Sequence, residues 1–162
     1  MVTLLSACSL AKFDRFPGVR SNEIPDKFQG YYKQIVSEKL LDKEDSTGLR
    51  IGNIWWEIVK PSGTTRTYMG DSVILSQYKG QYFISVTNSY VKYWYVFVAE
   101  PDENGAITTR PIVANGRKFP LRKYLERLHV NDSAIIYKMN EEQLLKYYVK
   151  VVRKHPGIKI KK

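Results

Sequence analysis

Short runs of β-branched and aromatic residues, each bounded by a turn signal, constrain the fold of this chain most strongly. The run 91–100, VKYWYVFVAE, is the clearest of them. Lys79-Gly80 and Asn104-Gly105 are dipeptides typical of tight hairpin turns. Eight runs predict eight strands, over 31–38, 49–60, 64–69, 71–77, 81–87, 91–100, 106–114 and 133–138. Strands joined by short turns favour a mainly β fold, an antiparallel eight-stranded meander that forms a barrel or half-barrel.

The regular strand pattern has three interruptions. Gly52, inside the run 49–60, is interpreted as a bulge in one long strand. Apolar side chains at i, i+3, i+4 and i+7 after Pro120 predict a short helix near 121–128. Asn140 can cap a second, C-terminal helix near 140–154, whose apolar stripe would pack on the sheet.

The charge of the chain is strongly positive. It has 26 basic and 16 acidic residues, a net charge of +10. Such a protein attracts polyanions, and a soluble β-domain that binds nucleic acid or another polyanion is therefore the alternative function. A solvated surface explains scattered basic residues equally well. Only the C-terminal end concentrates them, and we interpret it as a basic face or tail.

Cys8 is the single cysteine, so the chain can form no internal disulfide. It follows Leu5-Ser6-Ala7, and these four residues resemble the lipobox of bacterial lipoproteins. The resemblance implies that Cys8 carries the lipid anchor and that the protein sits in the bacterial cell envelope, at the outer membrane or the periplasmic face. Only seven residues without Lys or Arg precede Cys8, which departs from a full signal peptide. Residues 1–22 are interpreted as signal and flexible tether, and residues 23–162 as one domain.

A second resemblance lies where the strand pattern begins. Phe28-Gln29-Gly30-Tyr31-Tyr32 is similar to the opening of lipocalin-like barrels, in which a short helical turn leads into the first strand through F-x-G-x-aromatic. Tyr32 stands where that family usually has Trp. The resemblance implies that this aromatic packs across the closed end of the barrel. It also implies a cavity for a small apolar or amphipathic ligand, although side chains can equally fill a small barrel.

Five aromatic residues are candidate ligand contacts. They are Trp55, Trp56, Tyr93, Trp94 and Tyr95. Aromatic rings can stack on sugars or bases, but core packing is the more frequent role of such residues. Because Trp55 and Trp56 are adjacent in a predicted strand, they point to opposite faces, and only one of them can be core.

The sequence offers little for catalysis. His129 and His155 are isolated and lack metal-ligand spacing, and no nucleophile or phosphate-binding loop motif is present. We therefore expect no enzyme, no metal and no cofactor. The leading hypothesis is a lipid-anchored binding or structural module whose partner is a small apolar ligand or an envelope protein, with no role for nucleic acid.

Overall fold

Hydrogen bonding between strands organises most of the chain into one curled antiparallel sheet. The computed structural model describes residues 10–34, 48–87, 90, 93–114, 120–131 and 134–162. The strands of the described part are β1 (Lys12–Phe13), β2 (Val19–Arg20), β3 (Gly30–Gln34), β4 (Gly48–Ile51), β5 (Trp55–Lys60), β6 (Gly63–Tyr68), β7 (Val73–Tyr78), β8 (Gln81–Val86), β9 (Trp94–Pro101), β10 (Ile107–Pro111), β11 (Arg127–Asn131), β12 (Ala134–Tyr137) and β13 (Ile158–Lys161). One α-helix, α1 (Glu141–Lys150), follows β12. Single 3-10 turns lie at Asp26–Phe28, Leu121–Lys123 and Val152–Lys154.

The order of the strands produces a half-barrel. Neighbouring strands run β7-β8-β9-β10-β13-β3-β4-β5-β6, and every pair in this series is antiparallel. In the described part of the chain, no pairing joins β6 to β7, so the curl stays open there. Strands β1, β12 and β11 extend the sheet beyond β9, with β1 and β12 parallel. The predicted mainly β, half-barrel fold with a C-terminal helix is confirmed.

Alternation along β8 and β9 places two separate cores on opposite sides of the same strands. Phe83, Val96 and Val98 face α1 and pack with its buried Leu144 and Tyr147. Residues of the other side, including Ile84, line the concave face with Leu75 and Ile107. Because successive side chains of a strand point to opposite faces, one strand can serve both cores.

Two hairpin predictions are confirmed by their turn geometry. Lys79 and Gly80 both have positive φ, 47° and 80°, as the two central residues of a type I′ turn require. At the β9–β10 turn, the carboxylate of Asp102 accepts hydrogen bonds from the backbone N–H groups of Asn104 and Ala106, each at 2.9 Å. The cap of α1 is also as predicted, since the Asn140 side chain accepts from the N–H of Gln143 at 3.1 Å.

Two predictions about internal elements are wrong. The run 49–60 is not one bulged strand; it forms the hairpin β4–β5, in which the N–H of Gly52 donates to the carbonyl of Trp55 at 2.8 Å. The helix near 121–128 is only the 3-10 turn Leu121–Lys123, and β11 begins at Arg127. Leu121 and Leu125 are both buried in the core with α1, so their spacing reflects packing without a continuous helix.

Both ends of the described chain belong to the sheet. Residues 10–22, predicted as tether, contain β1 and β2, and Ala11 and Phe13 are buried in the core under α1. The C-terminal residues, interpreted as a basic face or tail, form β13 between β10 and β3. No helix in the described part of the chain is long and apolar enough to cross a bilayer.

Candidate ligand-binding cavity

The concave side of the half-barrel encloses an apolar cavity of about 370 Å³. Fourteen apolar residues and one threonine line it: Ile24, Phe28, Leu49, Ile51, Trp56, Ile58, Met69, Val73, Leu75, Ile84, Val86, Phe97, Ile107, Thr109 and Ile160. The volume falls within the range of about 300–1,000 Å³ that is typical of small-molecule sites. Among the described residues that line the wall, none has an ionisable side chain, so this space suits an apolar group.

Strand alternation positions the lining. On β5, Trp56 and Ile58 face inward, and the opposing strand β4 contributes their register partners Ile51 and Leu49. Strands β7 and β8 supply the facing wall in the same way, with Leu75 opposite Ile84. Ile58 remains 39% exposed although it lines the cavity, which marks an accessible part of the wall.

One end of the lining is formed by the segment before β3. Ile24 and Phe28 are buried, and the Phe28 ring meets the Tyr82 ring edge-on at 4.9 Å. Tyr32 is fully buried beside them and donates its hydroxyl to the carbonyl of Phe28 at 2.9 Å. Burial raises the pKa of Tyr32 above its ordinary value because the phenolate would be poorly solvated there. The predicted aromatic therefore anchors the short turn that contributes Phe28 to the cavity.

The five predicted aromatic contacts are not brought together. Trp56 lines the cavity, whereas Trp55 lies on the opposite face of β5, stacked with the guanidinium of Arg66 at 4.2 Å. The prediction that the two Trp residues face opposite ways is thus confirmed. The rings of Tyr93 and Tyr95 pack edge-on at 5.4 Å, away from the cavity lining.

Trp94 also lies outside the cavity lining, and its ring packs edge-on against Phe16 at 5.5 Å. Cys8, the predicted lipidation site, lies outside the described residues. Sequence reasoning missed the aliphatic lining. The signal was present in the alternation Val73/Leu75 and Ile84/Val86, but which face closes over a cavity depends on strands distant in sequence.

Polar chemistry is sparse around the cavity. Of the described lining residues, Thr109 alone carries a hydroxyl, which donates to the carbonyl of Ile158 at 3.4 Å. Within the described ranges, no three His, Cys, Asp or Glu residues converge as metal ligands. His155 follows the turn after α1, and its carbonyl accepts from Arg110 Nε at 3.1 Å. A group that entered this cavity would meet mainly apolar side chains.

Comparison of the chain with protein-family models, with curated proteins and with solved structures finds no match.

Proposed function

We propose that this protein is a binding module that holds a small apolar or amphipathic ligand in its half-barrel. The observation that carries the proposal is the cavity of about 370 Å³, whose lining in the described part of the chain is apolar apart from Thr109. Water gains few hydrogen bonds in such a space, so an apolar group that enters it is favoured by about 25 cal/mol for each Å² of apolar surface removed from water. The lipocalin-like opening Phe28 to Tyr32 supports the same function.

We place this module in the bacterial cell envelope, anchored by lipid on Cys8. The support is the lipobox-like sequence Leu5-Ser6-Ala7-Cys8. Two or three acyl chains on a terminal cysteine give stable anchoring, since each buried CH₂ contributes about 0.8 kcal/mol. An anchored module would meet apolar ligands at the membrane surface. The walls around Trp56 offer no group for acid–base chemistry, which favours binding over catalysis.

Ile84→Trp tests the cavity. The added ring would occupy the space between Ile84 and the β4–β5 wall, so we expect binding of an apolar fluorescent probe, such as an anilinonaphthalene sulfonate, to weaken at least about tenfold. Fluorescence titration of full-length protein measures the affinity for the probe, and circular dichroism confirms that each variant is folded. Val149→Trp, on an exposed position of α1, is the matched control and should leave probe affinity unchanged. Equal affinity in both variants would reject the cavity as the site.

A separate experiment tests the anchor. Full-length protein should incorporate labelled palmitate in bacterial cells and partition into detergent, and Cys8→Ala should abolish both. A protein that stays unlabelled and aqueous with Cys8 intact contradicts the lipoprotein proposal, while the cavity proposal keeps its own test.

A further inference from the structure

The convex face of β3–β6 differs in chemistry from the cavity behind it. We define the basic outer face as the outward side chains of these strands with one residue of β13: Tyr31, Lys33, Arg50, Trp55, Glu57, Arg66, Tyr68 and Lys161. Register pairs Tyr31 with Arg50, Arg50 with Glu57, and Glu57 with Arg66, so these four residues form one row across the sheet. Tyr31 and Tyr68 are 44% and 56% exposed. Within the row Tyr31, Arg50 and Arg66 are exposed, whereas Glu57 is buried between the two arginines.

Two aromatic rings on this face lie against glycines. A Cβ added at Gly48 would come within 2.3 Å of the Tyr31 hydroxyl, and one added at Gly52 would come within 2.4 Å of Trp55 Cε2. The rings therefore rest on the backbone of the sheet where any larger residue would displace them. Each ring also carries an arginine, with Arg66 at 4.2 Å from the Trp55 ring centre and Arg50 at 5.9 Å from that of Tyr31.

Glu57 fixes both arginines between these rings. It is only 6% exposed. Arg66 donates Nε and Nη2 to one of its oxygens, at 3.1 and 2.9 Å, and Arg50 donates Nη1 to the other at 3.2 Å. Arg66 also hydrogen-bonds the side chain of Tyr68. The remaining N–H groups of Arg50 are not used by Glu57. The result is two planar cations held in place on aromatic rings, with donors left for an anion.

A pair of lysines extends the positive charge. Lys33 and Lys161 are directly opposite in the β3–β13 register, and neither forms an ion pair with a described residue. Like charges directly opposite one another in a sheet repel, and a bound anion would relieve that repulsion. Four cations and one carboxylate, Glu57, give the face a net charge of +3.

We propose that the basic outer face binds single-stranded nucleic acid. Phosphates match the four cations, and unpaired bases can stack on exposed rings and on guanidinium planes. An anionic bilayer fits less well, because Val59 is the one aliphatic side chain among the outward positions of β5 and it is half-buried. This face is independent of the cavity, since β5 turns Trp56 inward and Trp55 outward.

Binding of fluorescein-labelled dT20 and rU20 to full-length protein tests the proposal by anisotropy. With three phosphates neutralised, affinity should fall about 20-fold between 50 and 200 mM salt. Lys33→Gln/Lys161→Gln should weaken binding about tenfold or more and flatten the salt dependence, while removing a repulsive pair and so preserving the fold. The matched control is Lys146→Gln/Lys150→Gln, two exposed lysines on α1, which should bind like the unmodified protein.

Tyr31→Leu separates stacking from charge. This variant keeps the net charge of the protein but loses the ring on which one base would stack, so oligonucleotide binding should weaken about fivefold or more. Three results would overturn the proposal. The first is that neither oligonucleotide binds at 50 mM salt, and the second is that the two lysine double variants lose affinity equally. The third is that polyphosphate and phosphatidylglycerol vesicles bind as tightly as dT20 while Tyr31→Leu leaves the affinity for dT20 unchanged.

Discussion

At the scale of single residues, the best-defined electrostatic contact joins the N-terminal segment to α1. Arg15 donates Nη1 and Nη2 to the two oxygens of Glu141, at 2.5 and 3.0 Å, and the N–H of Gly18 donates to the same carboxylate at 3.1 Å. Mainly through the hydrogen bonds from Arg15, the pKa of Glu141 falls to about 2. Because Glu141 is the first residue of α1, its charge also interacts favourably with the helix dipole.

Glu141→Gln should therefore remove a pH-dependent part of the stability. A carboxylate whose pKa is lower in the folded state stabilises the fold above its ordinary pKa of 4.5, and this contribution disappears as the pH falls towards 2. At pH 7 we expect the variant to be less stable by about 1–2 kcal/mol, because Arg15 is half exposed and its charge is screened by water. The free energies of unfolding of the two proteins should converge near pH 2. Urea unfolding across this pH range measures the difference. If the free energies of unfolding of the two proteins changed in parallel with pH, Glu141 would not be the source of this pH-dependent stability.

The adjacent residues Trp55 and Trp56 show what the sequence can and cannot predict about single side chains. Adjacency alone predicts that Trp55 and Trp56 face opposite ways. It does not predict that Trp56 faces the cavity and Trp55 the arginines, because that choice depends on Arg66 and Leu75, which other strands supply. The lipidation residue Cys8 stays a prediction.

At the scale of elements, the region 49–60 shows how a hairpin can resemble a single strand. Its turn, residues 52–54, contains Ile54, so the apolar run continues through the reversal. Gly52-Asn53 is the irregular signal in this run, and a bulge and a turn both explain a glycine in a strand pattern. The close approach of the Trp55 ring to Gly52 is a contact across the turn that the sequence does not display.

Gly52→Ala should destabilise this hairpin because the new methyl group would lie 2.4 Å from Trp55 Cε2. We expect a loss of about 1–3 kcal/mol in the free energy of unfolding. In Trp55→Ala the ring is absent, so the same glycine change should have almost no effect, and a double-mutant cycle should yield a coupling energy of about 1–3 kcal/mol. Chemical denaturation of the four proteins provides the cycle. If the effects of Gly52→Ala and Trp55→Ala on the free energy of unfolding were strictly additive, the Trp55 ring would be free to move aside from the new methyl group.

At the scale of the whole molecule, one sheet serves three different surroundings. The outer sides of β8 and β9 are covered by α1, the concave side encloses the cavity, and the outer side of β3–β6 meets solvent. Among the described strands, β13 pairs with β10 on one side and with β3 on the other, and so links the two walls of the half-barrel. Its alternation Ile158-Lys159-Ile160-Lys161 is a strand pattern, but the charge of the C-terminal end favoured its interpretation as a basic face or tail.

Removal of residues 158–162 separates these two interpretations. If β13 links the walls, truncation should lower the free energy of unfolding by at least about 3 kcal/mol and abolish probe binding, because Ile160 lines the cavity and its pairing with Ile107 is lost. Lys159→Gln/Lys161→Gln keeps both isoleucines, loses the exposed ion pair of Lys159 with Asp102 and removes the repulsion between Lys161 and Lys33, so its free energy of unfolding should stay close to that of the unmodified protein. If residues 158–162 are instead a solvated basic tail, the truncation should change neither the unfolding transition nor the binding of the apolar probe. Thermal and urea unfolding of the three proteins, with probe titration of each, decide between them.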